Sequence, residues 1–224
     1  MKEQIEFYSQ FIGPADLCFD IGANMGDKTD SFLTLGARVV AVEPQKQCAD
    51  KLRNRFHHNP NCIIVEKALG KKEEEEVMYV NDSSVLSTLS SEWIKSMQES
   101  GRFGDNFWRS HIPVSVTTLD RLIEEFGVPT FSKIDVEGYE WNVMQGLSHA
   151  IPALSIEFAK EMINNTNHCI QYLETLGNYE FNFCNENNLL MKLDHWVDSV
   201  TIRQAIGQLS DKFSWGDVYA RLKK

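Results

Sequence analysis

CFDIGANMG, residues 18–26, is an apolar run that ends in an acid and opens into a loop with glycines at 22 and 26. A strand that enters such a loop and continues into a helix binds nucleotides in parallel α/β folds. The next residues, 27–36, have a helical pattern that ends at Gly36. The stretch predicts a strand, a nucleotide-binding loop and a helix within an open sheet.

The chain on both sides alternates apolar strands with helices. Strands are predicted at 17–22, 38–44, 61–70, 112–119, 131–138, 153–158 and 216–222, and two more about an Asn-rich turn within 179–193. Helices are predicted at about 3–12, 27–36, 45–59, 120–127, 139–151 and 167–178, with a polar helix before the last strand. Such alternation is typical of a mostly parallel sheet covered by helices on both faces. We predict a single Rossmann-like α/β domain over residues 1–224.

Residues 71–118 interrupt this alternation. Their charge run KKEEEE predicts a solvated turn, and the polar and aromatic segment after it is too long for an ordinary connection. Insertions of this length are often binding loops or lids. Four of their aromatic residues are candidates for stacking on a ring-bearing substrate, although aromatic side chains more often belong to a core. They are Trp93, Phe103, Phe107 and Trp108.

Composition argues against several classes of protein. The chain has 22 Lys and Arg against 32 Asp and Glu, a net charge of −10, which disfavours a broad nucleic-acid groove. The first residues carry acids and no continuous apolar run, so we expect no signal peptide, no membrane partner and a cytoplasmic location. The five cysteines and six histidines lack metal-binding spacings, so no metal site is expected.

Acids stand at the carboxyl ends of five predicted strands, which is where open parallel sheets bind ligands. They are Asp20, Glu43, Glu66, Asp135 and Glu157. Such acids also cap helices, and for Glu66 and Glu157 both interpretations stay open. Glu43 follows Gly22 by 21 residues, close to the spacing at which a carboxylate accepts from both hydroxyls of a ribose.

The loop itself favours one nucleotide over another. A dinucleotide loop requires glycines at 22, 24 and 27, but this chain has Gly22, Asn24 and Asp27. Asp27 places a negative charge where a helix start attracts pyrophosphate. S-adenosylmethionine instead carries a sulfonium and an amino group, which carboxylates such as Asp20 and Asp135 attract. We therefore expect S-adenosylmethionine, with an NAD-dependent oxidoreductase as the alternative.

Five segments, in order across about residues 15 to 160, resemble the FkbM family of S-adenosylmethionine-dependent methyltransferases. They are FDIGANMGDKT, AVEP, EKALG, VTTLDRL and SKIDVEGYEWNVMQGL. The resemblance implies a class I methyltransferase fold with a seven-stranded sheet. It also implies O-methylation of a hydroxyl on a sugar, a glycan or a small secondary metabolite. The cofactor-binding residues that it implies are Asp20, Gly22, Asn24 and Gly26 for the methionine part, Glu43 for the ribose, Ala68 and Leu69 near adenine, and Asp135.

Methyl transfer to an alcohol aligns the acceptor oxygen with the methyl group and removes the hydroxyl proton. Asp135 and Glu137 are the candidate bases, with His111 a weaker third. Two alternatives stay open: Asp135 only holds the cofactor, and Glu137 only begins the next helix. Because the strands that end at Asp20 and Asp135 are neighbours at the switch point, we expect these acids to converge. A non-catalytic cofactor-binding protein is a further alternative.

Overall fold

The computed structural model describes residues 2–104, 106–185 and 189–223. Its strands form a seven-stranded sheet in the order β3-β2-β1-β7-β8-β10-β9 and a three-stranded sheet in the order β4-β6-β5. The strands are β1 (Leu17–Ile21), β2 (Arg38–Val42), β3 (Cys62–Val65), β4 (Ala68–Leu69), β5 (Glu74–Val80), β6 (Ser110–Thr117), β7 (Phe131–Ile134), β8 (Ala153–Ala159), β9 (Tyr179–Asn185) and β10 (Trp215–Leu222). In the large sheet β10 is antiparallel to both neighbours and the other pairings are parallel, which confirms the predicted α/β fold with a mostly parallel sheet.

Helices cover both faces of the large sheet. They are α1 (Lys2–Tyr8), α2 (Asp27–Thr34), α3 (Lys46–Phe56), α4 (Ser91–Ser100), α5 (Leu119–Phe126), α6 (Glu140–Met144), α7 (Ile163–Leu176) and α8 (Ser199–Gly207). Phe19 packs into a core cluster with residues of α5 to α8, whereas its neighbour Cys18 joins a second cluster with α1 and α2. Successive strand side chains point to opposite faces, so β1 is buried on both. None of the described helices has the length and apolar character needed to cross a membrane.

Two predictions were wrong, one just before the insertion and one at its start. The predicted strand 61–70 is divided, because the chain leaves the large sheet after Val65 and Ala68–Leu69 pair with β6 instead. The predicted turn at KKEEEE also contains the start of β5. In that strand Glu75 is exposed, while the carboxylate of Glu76 accepts a hydrogen bond from the Tyr139 hydroxyl at 2.7 Å. Because successive side chains of a strand point to opposite faces, β5 can place Glu75 in solvent and Glu76 against Tyr139.

The predicted element ends also need correction. Helix α1 ends at Tyr8 and not at residue 12, and α6 ends at Met144 and not at residue 151. Residues 189–193 form no second strand. One backbone hydrogen bond joins them to β9, from the N–H of Lys192 to the carbonyl of Phe183 at 2.8 Å, and the Asn182 side chain bonds both backbone groups of Leu193, at 2.8 and 3.1 Å. The Asn-rich turn falls on residues 186–188, which lie outside the described residues.

The insertion packs over the carboxyl end of the large sheet. Ser90 caps the start of helix α4, and its side chain accepts the N–H of Trp93. Trp93 is buried and lies directly on Gly138, just after β7, where an added Cβ would be 2.3 Å from the indole. Gly138 also has a φ of +83°, which favours glycine. The absence of a side chain at this position therefore allows the insertion to reach the sheet.

We expect Gly138→Ala to lower the free energy of unfolding by about 2–4 kcal/mol, because the methyl group overlaps Trp93 and strains the backbone. Urea denaturation measures the change. Gly207→Ala is the matched control, since no atom lies within 4 Å of its Cβ position. It ends α8, so alanine should be neutral or slightly stabilising. Equal effects of the two substitutions would contradict this packing.

Candidate functional site

The loop after β1 lies against the end of β7. Gly22 has a φ of +82°, and a Cβ there would be 1.8 Å from the carbonyl oxygen of Asp135. Asn24 is also left-handed, with a φ of +45°, a conformation that asparagine tolerates better than most residues. Gly22 and Asn24 line a cavity at the carboxyl ends of β1, β2 and β7. This is the switch-point position predicted for a nucleotide.

Glu43 is fixed at the end of β2 inside this cavity. Its Oε2 accepts the N–H of Asn24 at 2.9 Å, and its Oε1 accepts the N–H of Gln45 at 2.8 Å. Burial raises the pKa of Glu43 to about 7, although both N–H donors favour the charged form. Each oxygen keeps a second lone pair, so the carboxylate can still accept hydrogen bonds from a ligand.

The small sheet and the insertion close the other side of the cavity. Ala68 and Leu69 of β4 line this cavity, and their place near an adenine stays a prediction. Ser84 of the insertion also lines it: the Asn24 side chain donates to its Oγ at 3.2 Å, and the Gln45 side chain donates to its carbonyl at 3.0 Å. The sequence placed Ser84 in a polar loop but gave no sign of these contacts.

Two predicted cofactor residues lie behind this surface. Asp20 is buried and accepts the Thr29 hydroxyl at 2.5 Å, and burial raises the pKa of its carboxyl group. Gly26 begins α2, where a Cβ would meet Leu52 at 2.6 Å. Neither is among the described residues that line the cavity. Direct cofactor contacts by these two residues stay predictions.

Asp135 lies where a second cavity joins the first. The expected neighbours β1 and β7 are paired, which confirms the predicted switch point. Buried Lys133 lies 2.9 Å from the Asp135 carboxylate and 3.1 Å from that of Asp217. Burial opposes ionisation of Asp135, but Lys133 outweighs this effect and lowers the pKa of Asp135 below its usual range. Asp135 is therefore a carboxylate at neutral pH.

The second cavity has a volume of about 530 Å³, within the range of small-molecule sites. Its walls are largely apolar and aromatic, and Asp135, Glu137 and Val85 line both cavities. The other lining residues are Leu86, Trp93, Met97, Arg102, Phe103, Glu157, Ala159 and Trp215. The two cavities thus meet at a pair of acids.

Three carboxyl groups converge at this meeting point. Oxygen atoms of Asp135, Glu137 and Glu157 lie within 4.8 Å of one another. Burial and the charges of Asp135 and Glu137 raise the pKa of Glu157 well above its usual range, so Glu157 holds a proton more readily than Asp135 does. Carboxyl oxygens of this kind also suit hard divalent cations, whereas the sequence led us to expect no metal. That expectation stays a prediction.

Glu140 holds the turn that carries Glu137, and the sequence analysis missed it. Its Oε1 accepts the N–H groups of Val136 at 3.0 Å and Gly138 at 3.1 Å. Glu137 has a φ of +54°, and its carbonyl accepts the Thr88 hydroxyl at 2.7 Å. The carboxylate and the insertion therefore fix the turn from two sides. The acid three residues after Glu137 was visible in the sequence, but its burial was not.

Other candidates from the sequence lie elsewhere. Glu66 pairs with Arg53 at 2.7 Å and is not among the described residues lining either cavity. His111 contacts the Tyr79 ring edge-on at 5.0 Å and lines a separate surface groove with Phe107 and Trp108. Of the four aromatic candidates, Trp93 and Phe103 line the second cavity.

Glu140 should make stability depend on pH. Burial raises its pKa from the ordinary 4.5 to about 7 in the folded protein. The contribution of protonated Glu140 to the free energy of unfolding is therefore full below about pH 4.5 and is lost as the pH rises through about 7. Glu140→Gln keeps an oxygen for both N–H groups but cannot ionise. Between about pH 5 and 8, the variant should lose less unfolding free energy than the parent, by up to about 3 kcal/mol.

Urea denaturation at the two pH values measures this difference. Glu92→Gln, at an exposed acid of α4, is the control and should follow the parent. A Glu140→Gln protein whose stability changes with pH as steeply as the parent's would contradict the assignment.

The chain is similar in structure to several solved methyltransferases, at low sequence identity. The solved structures similar to the chain include a precorrin-6y C5,15-methyltransferase from Geobacter metallireducens GS-15, at 11% identity and a TM-score of 0.49, covering 97% of this chain and 87% of that one. An rRNA methylase from Streptococcus thermophilus has 10% identity and a TM-score of 0.46, with coverages of 98% and 94%. A Streptococcus mutans protein described as a methyltransferase, solved in complex with SAH, has 10% identity and a TM-score of 0.45, with coverages of 99% and 97%.

No sequence among the curated proteins matches the chain. The model of the family described as "Methyltransferase FkbM domain" matches residues 20–182. That segment includes the loop after β1, the end of β2, the insertion and the acids after β7. The match and the seven-stranded sheet confirm the fold and the family that the motifs predicted, and the chain belongs to the FkbM methyltransferase family.

Proposed function

We propose that this protein transfers a methyl group from S-adenosylmethionine to a hydroxyl group of a sugar, a glycan or a small secondary metabolite. The supporting observation is that the switch-point cavity and the second cavity meet at Asp135 and Glu137. A methyl donor in one and an alcohol in the other would face each other at a carboxylate. The family membership implies S-adenosylmethionine as the donor.

The side chains that line the first cavity suit the chemical groups of such a cofactor. Glu43 offers two oxygens to a ribose, and apolar Ala68 and Leu69 suit the edge of an adenine. Asp135 supplies negative charge toward a sulfonium. When bound, S-adenosylmethionine supplies an electrophilic methyl group on a positively charged sulfur. Asp27 at the start of α2 is 80% exposed and pairs with Arg55, so the loop gives a pyrophosphate no free helix terminus.

The acids then handle the proton. An acceptor hydroxyl that took the methyl group from bound S-adenosylmethionine would have to lose its proton. The hydroxyl proton passes to Asp135 or Glu137. Lys133 keeps Asp135 ionised and ready to accept it. Glu157, whose pKa burial raises well above its usual range, lies beside both acids.

Glu43→Gln should weaken the binding of SAH about tenfold, because an amide accepts hydrogen bonds from a ribose less strongly than a carboxylate does. Since the pKa of Glu43 is about 7, SAH affinity of the parent should also fall as the pH drops from about 8 to about 6. Isothermal titration calorimetry measures both effects. Glu66→Gln is the matched control and should bind SAH normally. Failure of the folded parent to bind either S-adenosylmethionine or SAH would refute the proposal.

Asp135→Asn should reduce kcat by about 100-fold or more while SAH affinity changes only a few-fold, because the base is lost and the cavity shape is kept. The assay follows SAH release with an acceptor found by screening neutral sugars and cyclic alcohols. Asp50→Asn, at an exposed ion pair of α3, is the control. Equal losses in kcat and in SAH affinity would show that Asp135 only holds the cofactor.

A further inference from the structure

A short segment of the insertion covers the switch-point cavity. Residues 81–87 follow β5, and the one-turn 3₁₀ helix Ser84–Leu86 lies within them. Ser84, Val85 and Ser87 line the cavity, and we call residues 81–87 the strap. Provided that the proposed methyl transfer is correct, we propose that the strap opens to admit S-adenosylmethionine and closes over it, held shut by the side chain of Ser84.

The switch-point cavity is too small for the cofactor while the strap is closed. Its volume is about 100 Å³, whereas sites for small molecules typically measure about 300–1,000 Å³. S-adenosylmethionine joins an adenosine to an amino acid, so it requires a site within that range. Some part of the wall therefore has to move before the cofactor can enter.

Most of the other walls are part of the sheets. Ile21 and Val42 end strands of the large sheet and are buried, and Leu69 pairs with β6 in the small sheet. Glu43 accepts two backbone N–H groups, at 2.9 and 2.8 Å. Moving these residues would break strand pairing or buried hydrogen bonds, so they are not the part that moves.

Side-chain hydrogen bonds hold the strap against the rest of the cavity. Asn24 donates to the Oγ of Ser84 at 3.2 Å, and the Gln45 side chain donates to the Ser84 carbonyl at 3.0 Å. Val85, the next residue, is 52% exposed, so its apolar contacts add little to these bonds. Two hydrogen bonds of this kind contribute modestly to stability, so thermal motion can break both.

The base of the strap is anchored, which confines the motion to its middle. Thr88 exchanges both backbone hydrogen bonds with Tyr79, at 2.8 and 3.0 Å. Leu86 is buried, and its carbonyl accepts the Trp108 indole N–H at 2.5 Å. The turn before Leu86 can therefore move outward while the base of the strap stays in place.

The two cavities share the strap as a wall. Val85 lines both the switch-point cavity and the second cavity. Another wall of the second cavity is fixed, because Arg102 contacts Glu161 twice, at 2.9 and 2.6 Å, and both side chains are about nine-tenths buried. Closure of the strap therefore completes the two cavities together.

Surface plasmon resonance on the immobilised protein measures the association and dissociation rate constants of SAH. Ser84→Ala removes the hydrogen bond from Asn24. It should raise both rate constants about three- to tenfold and change Kd less than about threefold, because a moving wall controls entry and exit alike. Ser84→Thr keeps the hydroxyl and should restore the parent's rates. Ser83→Ala, at the exposed neighbouring serine, is the matched control and should leave them unchanged.

Hydrogen exchange observes the strap directly. The N–H groups of Leu86 and Ser87 donate to the carbonyls of Ser83 and Ser84 within the turn. In the free protein they should exchange at least about tenfold faster than the N–H groups inside β1, because opening the strap breaks these bonds and leaves the sheet intact. Saturating SAH should slow their exchange.

Three results would overturn the proposed motion. They are unchanged SAH rate constants in Ser84→Ala, a rise in its dissociation rate alone, and strap N–H groups that exchange as slowly as those of β1 with and without SAH. A rise in dissociation alone would make Ser84 an ordinary cofactor contact. These results all require measurable SAH binding, so they would leave the proposed methyl transfer standing. Absence of SAH binding by the folded parent would instead refute both proposals.

Discussion

The buried ion pairs of Lys133 are the interaction on which the site depends most. This amine is in the centre of the large sheet, on β7, and contacts Asp135 at the cavity and Asp217 on β10. Although burial opposes its charge, the two carboxylates raise the pKa of Lys133 well above its usual range. Removing one partner of such a buried pair typically costs about 3–5 kcal/mol. The same contact that links strands of the sheet therefore sets the charge of the candidate base.

The insertion has an equally physical role. It contributes β5 and β6 of the small sheet, α4 and the turn at Ser84, and it contacts the candidate site at the edge of the large sheet in three ways. Ser84 bonds the loop after β1, Thr88 bonds the carbonyl of Glu137, and Trp93 packs on Gly138. Each contact joins residues distant in the chain. The insertion therefore forms one wall of the switch-point cavity and most of the aromatic wall of the second.

The large sheet was predictable because most of its strands are short apolar runs that can be recognised in the local sequence. Each of the runs around Phe19, Val40 and Ile156 is apolar on both faces, which only a sheet covered on both sides explains. The predicted strand ends were wrong where the apolar pattern of the sequence continues but the backbone pairing does not. After Val65 the chain changes sheets, and at Leu193 the side chain of Asn182, and not a backbone group, accepts the N–H. Neither partner is close in sequence.

By itself, the sequence determined the alternation of strands and helices and the loop from Gly22 to Gly26. It also determined the carboxylate at Glu43 and the family motif that contains Asp135. These depend on residue type and spacing, which a linear chain displays. Only the tertiary structure decided that Glu157 lies beside Asp135, that Glu140 holds the turn, and that Arg102 is already paired. These contacts join residues from separate elements. The partners of these side chains, and the pKa shifts that the partners cause, therefore exist only once the chain has folded.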